Sequence, residues 1–466
     1  LPRCKHFGAT IDSGLYQLLL LIHLNTSITP DFVSWFRSVA PYVNAFRGKV
    51  FVIGFNGEMI TDTNFVHFIH DINLLASLGV RLVLVHGARP QIQLRLDESQ
   101  LETQTVMDIR VTDPAALQCV KESVGRIHHE IAALLSMGLP NSPMANASIR
   151  VSSGNFVVAC PYGVIEGVDL LHTGKVRKIN AQAISSSLEQ GDVVLISPLG
   201  YSPTGEIFNL TMENVATEVA IALHAEKLIF LWDTLTKEVH ESSLLPRELT
   251  VKQSKSLLNK KSFTTEFSDE AQLFIQCAIK ACESSVDRAH LISRHIDGAI
   301  LQELFTHRGI GTMVSKETIQ SLRDAKIEDV GGILQLIEPL EIEGVLARRG
   351  RELLEIEIDR FCVFEHDGMI LGCAALYPFL EENAGELACL AVHPNYRDFG
   401  HGNRLLQYIE EKARSQGMLK LFVLTTRTTH WFIEHGFTGV TLSELPKAKQ
   451  NLYNYQRRSK MLQKLL

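Results

Sequence analysis

No C-x-x-C pair occurs anywhere in the 466 residues, and the eight cysteines are scattered. Cys277 and Cys282 stand nearest each other, without a histidine cluster beside them. That spacing excludes a zinc-ribbon type of site and a disulfide framework, and it fits reduced thiols in a cytoplasmic protein. A basic surplus is also missing. Lys and Arg number 45 against 52 Asp and Glu, a net charge of −7, so neither nucleic acid nor an anionic membrane is expected as a partner. The chain is equally poor in long apolar runs. The stretch LYQLLLLIHL, Leu15 to Leu24, falls far short of a bilayer span. Asn25-Thr26-Ser27-Ile28 after it does not resemble a small-residue cleavage site. Residues 1–29 are therefore read as an extension that carries no function.

What is present is ordinary globular material: 45% apolar and 21% charged residues, in a chain long enough for two or three domains. The most informative stretch is GELACLAVHPNYRDFGHGNRLLQ, Gly385 to Gln407. Leu387, Leu390 and Val392 mark a strand; His393-Pro394 breaks it; Leu405, Leu406 and Ile409 reopen the pattern at helical spacing. Between them Arg397-Asp398-Phe399-Gly400-His401-Gly402 forms an R-x-x-G-x-G loop ending where the helix begins. Such a loop offers free backbone N–H groups and the positive end of a helix dipole, which suits a pyrophosphate.

The order strand, V-H-P, R-x-x-G-x-G, helix resembles the acetyl-CoA-binding core of the GNAT acetyltransferase superfamily. Around it the chain reads as helices over Ile327–Leu340 and Arg349–Ile358, and a hairpin at Asp367-Gly368 between Phe361–Phe364 and Met369–Tyr377. Then come the opening strand and helix, a stop at Gly417, strand Leu421–Thr425 and helix His430–Glu434. This is the GNAT order over residues 325–466, a mixed-sheet α/β domain. The resemblance implies that backbone groups of Leu390 and Val392 pair with the pantetheine arm of acetyl-CoA. The N–H groups of Asp398, Phe399, Gly400, His401 and Gly402 would hold the pyrophosphate, with Arg397 adding charge. No His, Cys and carboxylate spacing implies a metal.

The first half alternates strand and helix, which predicts a mainly parallel sheet. Thr29-Pro30-Asp31 opens a helix that carries Phe32, Trp35, Phe36 and Val39 on one face. Strands over Val50–Ile53 and Arg81–Val85 end in glycine turns and flank a helix from Asn64 to Leu78. The words VLVHGARPQI, IRVTD, GEIFNLTMENVA, AEKLIFL and DGAILQELFTHRGIGT resemble the amino-acid kinase family, above all its N-acetylglutamate kinases. The domain is placed at residues 30–313, with 314–324 as linker. Three departures argue against kinase activity. Gly54 stands where the family has a lysine for the transferring phosphoryl group, and losing that cation removes much of the electrostatic stabilisation. The second glycine loop reads H-G-A-R-P, with Arg89 in place of a glycine. Glu213 replaces a shorter carboxylate. Arginine-inhibited members bind their effector at positions matching His290, Glu303 and Gly309, where a carboxylate suits a guanidinium.

The two halves together are similar to the bacterial N-acetylglutamate synthase family, on the further words LARRGRE, GELACLAVHP, LFVLTTRTTHWFIEHGF and LYNYQRRSK. That resemblance implies acetyl transfer from acetyl-CoA to L-glutamate, inhibition by L-arginine and a ring-like homo-oligomer, a hexamer. By family match Arg348 takes the α-carboxylate and Arg457 with Ser459 the side-chain carboxylate, assisted by the backbone at Leu346 and Cys389. Glu386 is the matching general base. Phe432 occupies the place where many GNAT enzymes carry an acidic tyrosine; the resemblance implies Thr425 as the donor to the departing thiolate. Three rival readings remain: an arginine sensor with a vestigial acyltransferase, an active kinase fused to an acetyltransferase, and an acetyltransferase for another amino acid or for protein lysines.

Overall fold

The computed structural model describes residues 32–466 except 34, 108, 234–244, 261–266, 307–308, 318–319, 367 and 452. The chain divides between Glu317 and Thr318 into two compact units. The proposed helix start at Thr29–Asp31 lies outside the described residues. Residues 35–46 are helical, and the face that carries the four apolar residues is mostly exposed. Val39 is buried, whereas Phe32, Trp35 and Phe36 are exposed, with Phe32 stacked on Phe36 at 5.8 Å.

The first unit is built on eight strands: β1 (Val50–Phe55), β2 (Arg81–His86), β3 (Val151–Ser152), β4 (Val193–Ile196), β5 (Lys227–Trp232), β6 (Glu248–Thr250), β7 (Arg288–Ser293) and β8 (Thr312–Ser315). Their order is β6-β8-β7-β5-β1-β2-β4-β3, and the only antiparallel neighbours are β7 and β8. The central strands are near-continuous apolar runs because both faces are covered. Phe51, Ile53 and Phe55 of β1 pack with Phe65, Ile69 and Ile72 of helix α1 (Phe65–Ser77). Val52 points the other way, into a core with Val215 and Val219 of α2 (Met212–Ala222) and Phe274 of α3 (Asp269–Ser284). Each such side chain contributes about 1.5–3 kcal/mol by burial. A four-stranded sheet, Val157–Pro161, Gly174–Ile179, Leu199–Tyr201 and Ile207–Asn209, completes the unit. After β7, α4 (Ala299–Phe305) leads back to β8.

Most of the stretch read as linker, 314–324, is regular structure. Val314 and Ser315 end β8, and Gln320–Asp324 forms β9, the edge strand of the second unit. Arg323 fixes that edge, with its Nη1 2.6 Å from Oδ2 of Asp329 and its Nη2 2.6 Å from Oε2 of Glu365. Polar composition suggested a linker, but here the polarity belongs to an edge strand with its own ion pairs.

The second unit adds β10 (Phe361–His366), β11 (Met369–Phe379), β12 (Ala384–Val392), β13 (Lys420–Thr425), β14 (Thr438–Gly439) and β15 (Lys460–Leu465). The order is β9-β10-β11-β12-β13-β15-β14. All neighbours are antiparallel except β12 and β13. Helices α5 (Val330–Ile342) and α6 (Arg351–Ile356) cover one face, where Ile333 and Leu354 meet Cys373, Cys389 and Ala391. Helices α7 (His401–Ser415) and α8 (Thr429–Glu434) cover the other, where Leu405, Ile409 and Phe432 meet Leu387 and Val423. The hairpin turn falls on Asp367, outside the described residues, and on Gly368 with φ +77°. No described helix is long and apolar enough to cross a membrane.

Candidate active site

The site is organised by an opening in the second sheet. β12 pairs with β13 only at Ala384↔Lys420, Gly385↔Leu421 and Glu386↔Phe422. From Leu387 onward β12 continues to Val392 paired on one side alone, while β13 continues to Thr425 paired with β15. The parallel strands thus part just after Glu386, and the unpaired edge of β12, which includes Leu390 and Val392, can accept an extended chain as an added strand.

The same edge is bulged. Cys373 faces Ala391 and Ala375 faces Ala388, so Cys389 and Leu390 together stand opposite Ala374. Cys389 takes φ +53°, a backbone conformation a side chain rarely adopts, and such strain persists where surrounding structure enforces it. Its thiol is buried on the α5 side beside Cys373, whose Sγ donates to the Cys389 carbonyl at 3.5 Å. What Cys389 presents to the cleft is therefore backbone.

Beyond Val392, residues Pro394–Phe399 form a 3-10 turn and Gly400, at φ +73°, caps α7. The first N–H groups of a fifteen-residue helix, at His401 and Gly402, follow directly. Arg397 donates from Nε to the Val392 carbonyl at 3.4 Å, which ties the loop to the strand end. The His401 ring is buried against Phe364, centroids 4.3 Å apart, so His401 contributes packing as well as its N–H. Asp398 and Phe399 are described here by backbone alone.

Glu386, at the fork, is buried, and its Oε2 lies 2.7 Å from Nζ of Lys449 on the short helix α9 (Lys447–Asn451). Its register partner on β11 is Tyr377, whose hydroxyl donates to Oε2 of Glu357 at 2.7 Å. Burial, then that bond, pushes the Tyr377 phenol up to about 12.

The two adjacent arginines of the A-R-R word differ in burial. Arg348 is exposed, whereas Arg349 is half-buried beside Cys389, Tyr377 and Glu386. Burial opposes the Arg349 charge, but those three neighbours outweigh it and raise its pKa. Its backbone N–H donates to Oε1 of Glu341 at 2.8 Å and its Nη1 to the Ala347 carbonyl at 3.1 Å, which fixes the turn. Arg457 reaches the same place and donates from Nη2 to the Val345 carbonyl. Burial and the like charge of Arg349 lower its pKa. Arg457 has no carboxylate partner among the described residues. Two guanidinium groups near each other create a demand for anions.

Ser459 is buried two residues beyond Arg457, and its carbonyl accepts from the Tyr453 hydroxyl at 2.8 Å. Leu346 has given its N–H to the Leu340 carbonyl at 3.1 Å, so it has its carbonyl left to offer. Thr425 ends β13 at the open side of the fork. Its hydroxyl lies 2.9 Å from that of Thr428 and accepts from the Thr428 N–H at 3.2 Å, so it also builds the turn into α8.

In the first unit His290, Glu303 and Gly309 come together. Nδ1 of His290 lies 2.7 Å from Oε1 of Glu303, and Nζ of Lys227 lies 3.4 Å from Nε2 of His290. Oε2 of Glu303 accepts from the N–H groups of Ile310 at 2.7 Å and Gly311 at 2.8 Å. Burial works against the carboxylate's charge, but His290 and the two N–H groups outweigh it and bring Glu303 down to about 2. Burial, then the Lys227 charge, pushes His290 down. A neutral His290 between an ammonium and a carboxylate carries its proton on Nδ1. Gly309 sits at φ +54°, where a Cβ would come 2.5 Å from Oε2 of Glu303.

At the kinase-like strand end Gly54 has no room for a side chain: a Cβ would meet Sδ of Met212 at 2.8 Å and Phe230 at 2.9 Å. Among the described residues no group of three or more His, Cys, Asp or Glu could hold a metal ion.

Arg349 and Lys449 stand beside Glu386, and sequence reasoning singled out neither. The A-R-R word offers two adjacent arginines with nothing to choose between them, and nothing in A-K-Q-N points back to a strand far upstream.

Comparison with known proteins agrees with this architecture. Residues 49–293 match the amino acid kinase family and residues 330–437 the acetyltransferase (GNAT) family. The chain is 49% identical over 441 residues to an amino-acid acetyltransferase of Ralstonia nicotianae, covering 94% of this chain and 97% of that one. It is also 49% identical over 439 residues to one of Pseudomonas aeruginosa, covering 94% of this chain and all of that one. The crystal structure of N-acetylglutamate synthase from Neisseria gonorrhoeae, complexed with coenzyme A and L-arginine, superposes with a TM-score of 0.82 at 38% identity, covering 93% of this chain and 99% of that one. The same enzyme with coenzyme A and N-acetyl-glutamate superposes with a TM-score of 0.58. The chain belongs to the amino-acid acetyltransferase family, acyltransferases that join a kinase-fold unit to a GNAT unit.

Proposed function

We propose that the enzyme transfers the acetyl group of acetyl-CoA to the amine of L-glutamate, giving N-acetyl-L-glutamate and CoA, and that L-arginine inhibits it through the first unit. The observation that carries this reading is the pairing of an open β12 edge with two guanidinium groups, Arg349 and Arg457, beside the buried carboxylate of Glu386. Glutamate presents two carboxylates and one ammonium, the complement of that set. The ligands of the gonococcal relative, coenzyme A with arginine or with N-acetyl-glutamate, support the same assignment.

In this reading the β12 edge holds the pantetheine arm, and the Gly400–Gly402 backbone with Arg397 holds the pyrophosphate. Arg349 and Arg457 seat the carboxylates and bring the α-amine to the fork. Glu386 takes a proton from the ammonium, and the freed lone pair adds to the thioester carbonyl. Backbone N–H groups at the Cys389 bulge meet the charge that gathers on the carbonyl oxygen. The C–S bond then breaks and the thiolate leaves, with Thr425 as the nearest matched hydroxyl to donate to it. The first unit keeps the His290–Glu303–Gly309 cluster for the guanidinium of arginine and performs no phosphoryl transfer. The exposed Phe32, Trp35 and Phe36 face supports assembly into a homo-oligomer.

The test is thiol release from acetyl-CoA with a panel of amino acids and peptides, with and without arginine, beside an ATP-turnover control. Turnover with glutamate, depressed by arginine and without ATP consumption, is the expected result. Glutamate-independent thiol release would overturn it.

A further inference from the structure

We propose that the ammonium of Lys449 occupies the seat that the acceptor's α-ammonium takes against Glu386, so that acceptor binding displaces Lys449. This rests on the reading above of Glu386 as the base that meets the acceptor amine. The contact is direct: Nζ lies 2.7 Å from Oε2 of a carboxylate whose side chain is 9% exposed, on the strand that forks open. Lys449 carries the same group as the acceptor, a primary ammonium on an aliphatic carbon.

Charge counting makes Lys449 the surplus cation once the acceptor is seated. The acceptor's two carboxylates face Arg349 and Arg457, and its ammonium faces Glu386, one cation to each anion. A retained Lys449 would set two ammonium groups, its own and the acceptor's, against the one Glu386 carboxylate. It would also compete for the carboxylate that must receive the acceptor's proton. The release is sterically simple. Lys449 is 21% exposed and sits on a helix of five residues. That helix is tied down by other residues, through the Lys447 N–H on Oε1 of Glu382 at 3.2 Å and Nε2 of Gln450 on the Leu445 carbonyl at 2.7 Å. The side chain can therefore swing into water without unfolding the turn.

Lys449→Met should bind L-glutamate roughly three- to tenfold more tightly than the wild type, the free energy of one partly buried ion pair. Its affinity for glutarate, the same dicarboxylate without the amine, should not rise. Lys449→Arg should behave as wild type. Titration calorimetry on the full chain with saturating CoA reads all of these. An equal change for both ligands, or none for glutamate, overturns the inference. Lys449→Gln removes the charge with less loss of polarity and replaces the Met variant if that does not fold. A crystal of the wild type with CoA and L-glutamate that still shows Lys449 on Glu386 also overturns it. If the wild type binds no glutamate, the functional reading fails instead. The same comparison then uses whichever acceptor supports thiol release, against its des-amino analogue, and decides Lys449 alone.

Discussion

Nη2 of Arg89 stands 3.3 Å from Oε1 of Glu213, a carboxylate buried at the start of α2. A carboxylate repels a nucleotide's phosphates unless a cation stands between them. Here it is answered by an arginine from the loop after β2, and the strand end opposite carries Gly54 with no cation. The ion pair answers the Glu213 charge from within the unit.

Restoring the lysine alone should not restore the chemistry. In Gly54→Lys the new Cβ must push aside Met212 and Phe230, both buried in the core. Overpacking of this kind costs about 1–3 kcal/mol. The expected outcome is a lower melting temperature and no ATP turnover with N-acetylglutamate, read by calorimetry and a coupled ADP assay.

The arginines give a sharper test because two neighbours in sequence should differ. Arg349→Ala and Arg457→Ala should each raise the glutamate KM about 10- to 100-fold, the value of a charge-assisted hydrogen bond. Arg348→Ala should change it by less than about threefold, since its side chain is exposed. Steady-state kinetics at saturating acetyl-CoA decides, and a large Arg348 effect would return the α-carboxylate role to that residue.

The contrast shows what the sequence could carry. Strands, glycine stops and the loop into α7 were legible because apolar spacing and turn chemistry act locally, as in Leu405, Leu406 and Ile409. The fork itself was legible only through family words, because where β12 and β13 part is a matter of register between distant strands. Arg348 and Arg349 differ by one step along a turn, and the turn is fixed by the bonds Arg349 donates to Glu341 and Ala347. The strand at Gln320–Asp324 was missed because an edge strand paired on one side needs little apolar pattern.

Glu386→Gln keeps the shape of the side chain and removes its ability to take a proton. Turnover should fall about 10²- to 10⁴-fold, the usual worth of a positioned general base. CoA affinity should stay within about twofold, because the β12 edge and the α7 N-terminus are untouched. Stopped-flow thiol release and calorimetry with CoA separate the two quantities. Loss of both together would point to a collapsed fork instead.

The last prediction concerns acid. Glu303 is held down to about 2 from an ordinary value near 4.5. A depressed carboxyl stabilises the fold above its unfolded value, and that contribution is lost as pH falls from about 4.5 toward about 2. His290 is also depressed, by burial and then by Lys227, and it is a base. Its contribution is full above its ordinary value of 6.5 and declines below it, because acid must place a charge on a buried ring. The first unit should therefore lose stability in two stages, beginning below about pH 6.5 and steepening below about 4.5. Trp232 lies in that unit, so urea melts of a Trp35→Phe, Trp431→Phe chain follow it alone. Glu303→Gln should flatten the second stage and, through the same side chain, remove inhibition by arginine. A variant that keeps full arginine inhibition would move the effector site away from Glu303, whatever its acid profile.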